Sequence, residues 1–164
     1  MLITIDGVAG SGKTTLAQFM SEEFRHHSSV QVVHMDDLYD GWEDPLGAEL
    51  SRKLQKIAQA HNEWLPIETT IYDWESGRAG ATVEILPVEF LILEGVGSGQ
   101  RSIREFVERK IWIDLEPLVG LSRVLSRDGD AIAGKMMRFM DEQRAHFGQE
   151  GTREAADFHL NGLL

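Results

Sequence analysis

The residues best suited to chemistry lie near the start of the chain, in the stretch GVAGSGKTT that begins at Gly7. Its glycines and the Lys13-Thr14 pair match the pattern G-x-x-x-x-G-K-[ST], in which backbone N–H groups surround phosphate oxygens because no Cβ obstructs them. The lysine of this pattern reaches the β- and γ-phosphates, and the hydroxyl of Thr14 is placed to hold Mg²⁺. The motif therefore predicts a phosphate-binding loop contributed by Gly7, Ala9, Gly10, Ser11, Gly12, Lys13, Thr14 and Thr15.

Such a loop needs a strand before it and a helix after it, and the sequence predicts both. Residues 2–6 form a short apolar run, and from Lys13 onward Leu16, Ala17, Met20 and Phe24 recur at helical spacing. The N-terminus of that helix adds its partial positive charge to the phosphate site. A glycine-rich turn that binds nothing is the alternative, and the order of strand, loop and helix disfavours it.

Further along the chain, predicted strands alternate with predicted helices. Strands are predicted at 30–34, 90–93 and 110–114, with extended segments at 66–74 and in ATVEIL and a last strand in FHL. Helices are predicted at 46–63, 118–127 and 131–147, with a short one near 103–107. This order is typical of the α/β P-loop NTPase fold, a three-layer sandwich in which helices cover both faces of a mostly parallel central sheet.

Length and composition narrow the class of protein. The 164 residues predict a single domain over 1–164. A net charge of −11 argues against nucleic-acid binding, and the absence of cysteine excludes disulfides and a thiol nucleophile. No apolar run approaches the roughly 20 residues of a membrane span, and the first strand begins too early for a signal peptide. We therefore expect a soluble cytoplasmic protein without membrane or nucleic-acid partners; the sequence says nothing about its oligomeric state.

Acidic residues follow two of the predicted strands, where ligands of a parallel sheet bind. Asp36 and Asp37 follow the strand at 30–34, and Glu94 follows the central strand at 90–93. A carboxylate beside a terminal phosphate can take the proton of an attacking hydroxyl, and another can serve as an oxygen ligand of Mg²⁺. The scattered histidines show no spacing that supports a metal site.

Five segments together resemble the uridine kinase/phosphoribulokinase family of P-loop kinases. They are GVAGSGKT, MDDLY, YDWESGR, LILEGV, and KIWIDLE leading to RVLSRD, which span residues 2–128. The resemblance implies that ATP and Mg²⁺ are the cofactors. It implies that Asp36 is the catalytic base, although Asp37 could serve instead, and that Glu94 joins Thr14 at the metal. Lys13 and Arg127 are implied to stabilise the charge on the phosphate in transfer.

The same resemblance implies where a small acceptor molecule, most simply a nucleoside, is bound. The candidate contacts are Asp37, Tyr39, Tyr72, Trp74 and Arg78. Trp74 replaces the usual phenylalanine of the family, and Arg78 lies one position nearer to the YDW segment. A lid is expected at roughly 123–138, with Arg123 near the nucleotide and with Lys135 and Arg138 in place of the family's arginine-rich loop.

Several alternatives remain open from the sequence alone. The acceptor could be a vitamin alcohol or a sugar, or the chain could be an ATP-binding regulator without small-molecule kinase activity. A Ras-like GTPase is disfavoured because no N-K-x-D segment is present. A dinucleotide-binding oxidoreductase is excluded by the order of glycines and by Lys13, which that fold does not need.

Overall fold

A computed structural model describes residues 1–163 and alternates strands with helices along the chain. The strands are β1 (Leu2–Gly7), β2 (Val30–His34), β3 (Ile67–Asp73), β4 (Arg78–Ile85), β5 (Phe90–Glu94), β6 (Arg109–Asp114) and β7 (Phe158–Asn161). The α-helices are α1 (Lys13–Arg25), α2 (Met35–Leu38), α3 (Ala48–Asn62), α4 (Pro117–Asp128) and α5 (Ala133–Glu150), and 3-10 helices cover Arg101–Phe106 and Asp130–Ile132.

The central sheet contains five strands in the order β2-β5-β1-β6-β7. All four pairings are parallel, with Ile3 of β1 opposite Ile92 of β5 in the register. β1 and β5 are apolar runs because a strand in the middle of a parallel sheet is covered on both faces. The predicted P-loop NTPase fold, with its mostly parallel sheet, is confirmed.

Alternating side chains of these strands pack into two separate hydrophobic clusters. Leu91 and Leu93 belong to the cluster that includes Leu54 of α3 and Phe139 of α5. The intervening Ile92 belongs to the other cluster, which includes Ala17 of α1. Because successive side chains of a strand point to opposite faces, these clusters are the two cores on either side of the sheet. Helices therefore form the outer layers.

The two extended segments at 66–74 and in ATVEIL pair with each other and not with the central sheet. β3 and β4 form a separate antiparallel sheet, with Asp73 opposite Arg78 next to the turn and with an irregular register between Thr70 and Tyr72. Most of β4 is exposed to solvent. This two-stranded unit, the β3–β4 hairpin, carries the YDW segment.

Helix boundaries differ slightly from the predicted ones, for local reasons. The region near 103–107 is a 3-10 helix that begins at residue 101. The segment before α5 also forms a 3-10 turn, and α5 runs on to Glu150, where Gly151 ends it in the left-handed conformation (φ 60°). None of the helices in the described part of the chain is both long and apolar enough to cross a membrane.

Candidate functional site

The predicted phosphate loop between β1 and α1 adopts a conformation that only glycines take easily. Gly10 and Gly12 have φ angles of 77° and 95°, in the left-handed region. α1 begins immediately after Gly12, which offers no side chain to cap the first turn. The loop and the helix N-terminus therefore present backbone amides to the same space, as a phosphate site requires.

Lys13 is the first residue of α1, and its side chain folds back onto this loop. Its Nζ donates to the carbonyl oxygens of Gly7 (2.9 Å) and Val8 (2.7 Å), and the side chain is buried. Burial lowers the pKa of Lys13, while the nearby carboxylates of Asp6, Glu94 and Asp36 favour its charged form. The sequence motif thus positions one ammonium group among three acidic side chains, which come from β1, β5 and the first turn of α2.

Glu94 connects three elements at the carboxyl edge of the sheet. Its Oε1 accepts a hydrogen bond from Oγ1 of Thr14 (3.1 Å) and lies 2.5 Å from Nδ1 of His34, while the side chain is buried. The hydrogen bond to Glu94 raises the pKa of His34, and partial burial acts against this. The carboxylate of Glu94 and the hydroxyl of Thr14 thus place two oxygen ligands next to each other. Mg²⁺ prefers oxygen ligands, so this donor set fits the ion.

Asp36 lies in the first turn of α2, next to the same cluster. It is exposed to solvent, yet the surrounding protein atoms and then the charge of Glu94 raise its pKa. Lys13 and Arg127 act in the opposite direction, and Asp37 adds a smaller contribution that raises the pKa. The structure therefore brings Asp36, Glu94 and Lys13 within electrostatic reach of one another.

The aromatic residues of the β3–β4 hairpin face the loop that follows α2. Trp74 meets Tyr72 and Trp42 edge to face, with ring centroids 4.8 and 5.2 Å apart. The Nε1 of Trp74 donates to the backbone carbonyl of Asp36 (3.1 Å), which joins the hairpin to α2. Lys135 of α5 places its Nζ 5.7 Å from the ring centroid of Trp42. These rings form an aromatic wall next to Asp36.

Tyr39 and Arg78 lie outside this aromatic wall. Tyr39 is buried, donates its hydroxyl to the carbonyl of Val96 (2.7 Å) and packs against Phe139, so its ring belongs to the hydrophobic core. Arg78 is exposed at the start of β4, and its register partner Asp73 accepts hydrogen bonds from Ser76 within the turn. The structure does not bring either residue into the aromatic wall.

Two arginines of α4 border the loop from the side of the expected lid. Arg123 donates to the carbonyl of Gly162 (2.8 Å) and, at 3.3 Å, to that of Gly10, so it joins the loop to the C-terminal segment. Arg127 forms two hydrogen bonds of 2.6 Å with Asp128, and its charge still influences Asp36 and Lys13. The segment 123–138 comprises the end of α4, the 3-10 turn and the start of α5.

Four further residues around the site were not identified from the sequence. His34 contacts Glu94, Trp42 completes the aromatic wall, Asp6 is buried behind the loop, and Gln143 of α5 accepts the N–H of Ala9 through its Oε1 (3.0 Å). His34 and Asp6 carried a signal, because each lies at the carboxyl end of a predicted strand. Trp42 and Gln143 carried none, since only tertiary packing brings them here.

Comparisons with known proteins agree with this geometry. A family model described as AAA domain matches residues 3–145. A uridine kinase of Latilactobacillus sakei is 26% identical over 177 residues, which cover 96% of this chain and 83% of that protein. A cytidylate kinase of Methanococcoides burtonii is 26% identical over 159 residues, covering 97% and 81%. A structure described as a possible uridine kinase from Bacillus stearothermophilus has a TM-score of 0.71 at 20% identity and covers 98% of this chain and 88% of that one. The resemblance to uridine kinase-like P-loop proteins is confirmed.

Proposed function

The chain belongs to the AAA domain family of P-loop proteins, and from this premise we propose that it is a kinase that transfers the γ-phosphate of ATP to a hydroxyl of a small molecule. The observation that carries the proposal is the meeting of Lys13, Glu94 and Asp36 at one edge of the sheet. These residues supply a cation for the phosphates, an acidic metal ligand and a base, the parts that phosphoryl transfer needs.

Each residue has a separate task in this mechanism. The phosphate oxygens of ATP replace the carbonyl oxygens of Gly7 and Val8 as partners of the Lys13 ammonium. Thr14 and Glu94 hold Mg²⁺, which neutralises charge on the phosphates when it is bound. Asp36 accepts the proton of the acceptor hydroxyl, and Asp37 is the alternative base. Arg127 contributes positive charge on the lid side, after release from its pair with Asp128.

The acceptor binds between α2 and the β3–β4 hairpin in this proposal. The rings of Tyr72 and Trp74 suit a planar group, and Asp37 and Arg78 are the candidates for its polar groups, with Tyr39 as support from below. A nucleoside is the first candidate, because relatives of 26% identity are named uridine kinase. A vitamin alcohol or a sugar stays an alternative acceptor. The nucleotide is bound by Arg123 and by the backbone of the phosphate loop, namely Gly7, Ala9, Gly10, Ser11, Gly12 and Thr15.

The decisive experiment measures ADP release from ATP·Mg²⁺ with a panel of nucleosides, vitamin alcohols and sugars, and identifies the phosphorylated product by mass spectrometry. The proposal expects release that depends on one acceptor class and is lost in Lys13→Ala. ATP binding without acceptor-dependent release across the whole panel would refute the kinase and favour the ATP-binding regulator.

A further inference from the structure

Asp6 is a buried carboxylate that the mechanism above does not use. It is the next-to-last residue of β1 and is 1% exposed. Its Oδ1 accepts the N–H groups of Gly7 (2.8 Å) and Gly97 (3.1 Å), and its Oδ2 accepts that of Gly99 (2.9 Å). Three backbone donors from two separate segments thus converge on one side chain.

The two segments are the ones that carry the catalytic groups. Gly7 opens the phosphate loop. Gly97 and Gly99 belong to residues 95–100, called here the glycine loop, which directly follows Glu94 and is buried throughout. The glycine loop has a second attachment to β1, because Oγ of Ser98 donates to the carbonyl of Ile5 (3.0 Å). Asp6 is therefore the side chain that links the phosphate loop to the segment behind the metal ligand.

The close approach of the glycine loop to Asp6 depends on the absence of side chains. A Cβ at Gly99 would lie 2.7 Å from Cγ2 of Thr152 and 3.3 Å from Oδ2 of Asp6. Gly97 has a φ of 87°, which other residues adopt only with strain. The chain thus uses glycine where the amides must reach the carboxylate.

A charge in this position is costly, which argues for a function. Burial raises the pKa of Asp6 to about 6, although the amides of Gly99 and Gly7 and the charge of Lys13 act against it. The group is therefore ionised at neutral pH in spite of its burial. Proteins keep unfavourable buried charges mainly where activity needs them.

We propose that Asp6 is a positioning residue whose carboxylate ties the phosphate loop to the glycine loop and so sets the position of Glu94 relative to the bound phosphates. This inference rests on the proposed kinase function for its purpose. The hydrogen bonds of Asp6 to the two loops do not depend on that function. If these hydrogen bonds are weakened, the two loops can move independently. The groups that bind nucleotide and metal are then no longer preorganised relative to each other.

The test compares Asp6→Asn with a control, Asp157→Asn. The asparagine keeps the shape and one acceptor oxygen but turns an NH₂ group toward one of the three amides. Asp157 is an exposed carboxylate that also accepts the N–H of a strand residue, Lys110. Lys110 lies at the N-terminal end of β6, away from the carboxyl edge of the sheet. Hydrogen exchange is followed in peptides that cover 7–13 and 95–100, and affinity is measured for AMP-PNP as a function of Mg²⁺ concentration.

We expect Asp6→Asn to melt within a few degrees of the wild type, to exchange at least tenfold faster in both loops, and to bind AMP-PNP·Mg²⁺ at least tenfold more weakly. Asp157→Asn should change none of these. Unchanged exchange and affinity in Asp6→Asn would overturn the proposal. A large loss of melting temperature with faster exchange throughout the sheet would overturn it too, because Asp6 would then be a general support of the core.

If Asp6→Asn does not fold, the wild type decides. The amide signals of Gly7, Gly97 and Gly99 in a ¹H–¹⁵N spectrum should shift together with one midpoint near pH 6. Three other ionisable groups interact electrostatically with Asp6. The charge of Lys13 lowers the pKa of Asp6, and the charge of Asp6 raises the pKa of Tyr39 and that of Arg104. Three independent midpoints, or no shift, would refute the tie. A wild type without acceptor-dependent turnover whose loops loosen in Asp6→Asn would refute the kinase and leave the tie standing.

Discussion

At the scale of single residues, the site shows how position changes the chemistry of common side chains. Asp36 and Glu94 are both carboxylates that follow or end a strand, but Glu94 is buried and contacts Thr14 and His34, whereas Asp36 is exposed to solvent. An immobilised carboxylate suits a metal, and one exposed to solvent suits proton transfer from an incoming hydroxyl. The division of roles that we propose for the two carboxylates rests on this difference in surroundings.

Asp36→Asn is expected to lower turnover by about 10²- to 10⁴-fold, the usual contribution of a general base. The affinity for ATP should change little, because Asp36 is not part of the phosphate loop. Steady-state kinetics and a binding isotherm check both values. Asp37→Asn is the informative comparison, since a larger loss there would assign the base to Asp37. Asp40→Asn, at an exposed residue paired with Lys53, serves as a control.

Glu94→Gln is expected to raise the Mg²⁺ concentration needed for half-maximal turnover by at least about tenfold. The amide keeps the shape of the side chain but loses the charge that a divalent cation needs. Turnover is measured against Mg²⁺ concentration at saturating ATP. Glu89→Gln, at the residue directly before β5, is the matched control. An unchanged Mg²⁺ requirement in Glu94→Gln would remove this residue from the metal site.

At the scale of elements, two attachments position the parts of the candidate site. The β3–β4 hairpin is joined to α2 through Trp74, and the first turns of α4 lie directly on the phosphate loop. A Cβ at Gly120 would lie 2.2 Å from the carbonyl oxygen of Ala9, and one at Gly10 would lie 2.3 Å from that of Gly120. The glycine pair therefore sets the distance between loop and helix.

Trp74→Ala is expected to raise the KM for the acceptor at least tenfold, about 1.4 kcal/mol, with little effect on the KM for ATP. Trp74→Phe keeps the ring but loses the hydrogen bond to Asp36, so its effect should be smaller. Kinetics with the acceptor found in the panel provide the measurement. Trp64→Ala, at an exposed tryptophan after α3, is the control. Equal acceptor KM values for Trp74→Ala and wild type would exclude the aromatic wall as the acceptor site.

Gly120→Ala is expected to destabilise the protein by about 1–3 kcal/mol, because a methyl group forces α4 away from the loop. ATP affinity should fall with it. Gly148→Ala is the control, since nothing lies within 4 Å of a Cβ there and alanine favours a helix interior by about 0.5–1 kcal/mol. Urea unfolding of both variants measures the difference. A Gly120→Ala variant as stable as Gly148→Ala would contradict the tight contact.

At the scale of the whole molecule, charge is distributed unevenly. The net charge is −11, yet Lys13, Arg123 and Arg127 are concentrated around the phosphate loop. Such local concentration allows an acidic protein to bind a highly anionic ligand. At the centre of the same region the fold also accommodates a buried negative charge, that of Asp6.

The stability of the whole protein should therefore depend on pH through Asp6. Its pKa is raised from 3.8 to about 6 in the folded state, so the native state binds this proton more tightly than the unfolded chain. The resulting stabilisation is present below pH 3.8 and is lost as the pH rises through 6. About two pH units at about 1.4 kcal/mol each make roughly 3 kcal/mol.

Urea unfolding from pH 4 to pH 7.5 tests this value by comparing wild type with Asp6→Asn. The wild type should lose roughly 2–3 kcal/mol relative to the variant between pH 4 and pH 7.5. The difference between the two proteins isolates Asp6 from the other titrating groups. A wild type that gains stability relative to Asp6→Asn over this range would contradict the raised pKa.

Much of the fold was predictable because its signals are local. The phosphate loop, the apolar runs of β1 and β5 and the acidic residues after the strands indicated a parallel sheet with a site at its carboxyl edge. The β3–β4 pairing was less evident, since two extended segments do not reveal whether they join the main sheet. The surroundings of Tyr39 were not predictable either, because an aromatic ring suits a core and a binding wall equally well.

The sequence by itself determined the phosphate loop and the order of strands and helices, because backbone conformation at glycines and the spacing of apolar residues are local properties. Only the tertiary structure decided that His34 contacts Glu94, that Trp42 faces Trp74, and that Asp6 gathers amides from two loops. Those contacts join residues as many as 93 positions apart. They depend on the order of strands in the sheet, for which no local signal exists.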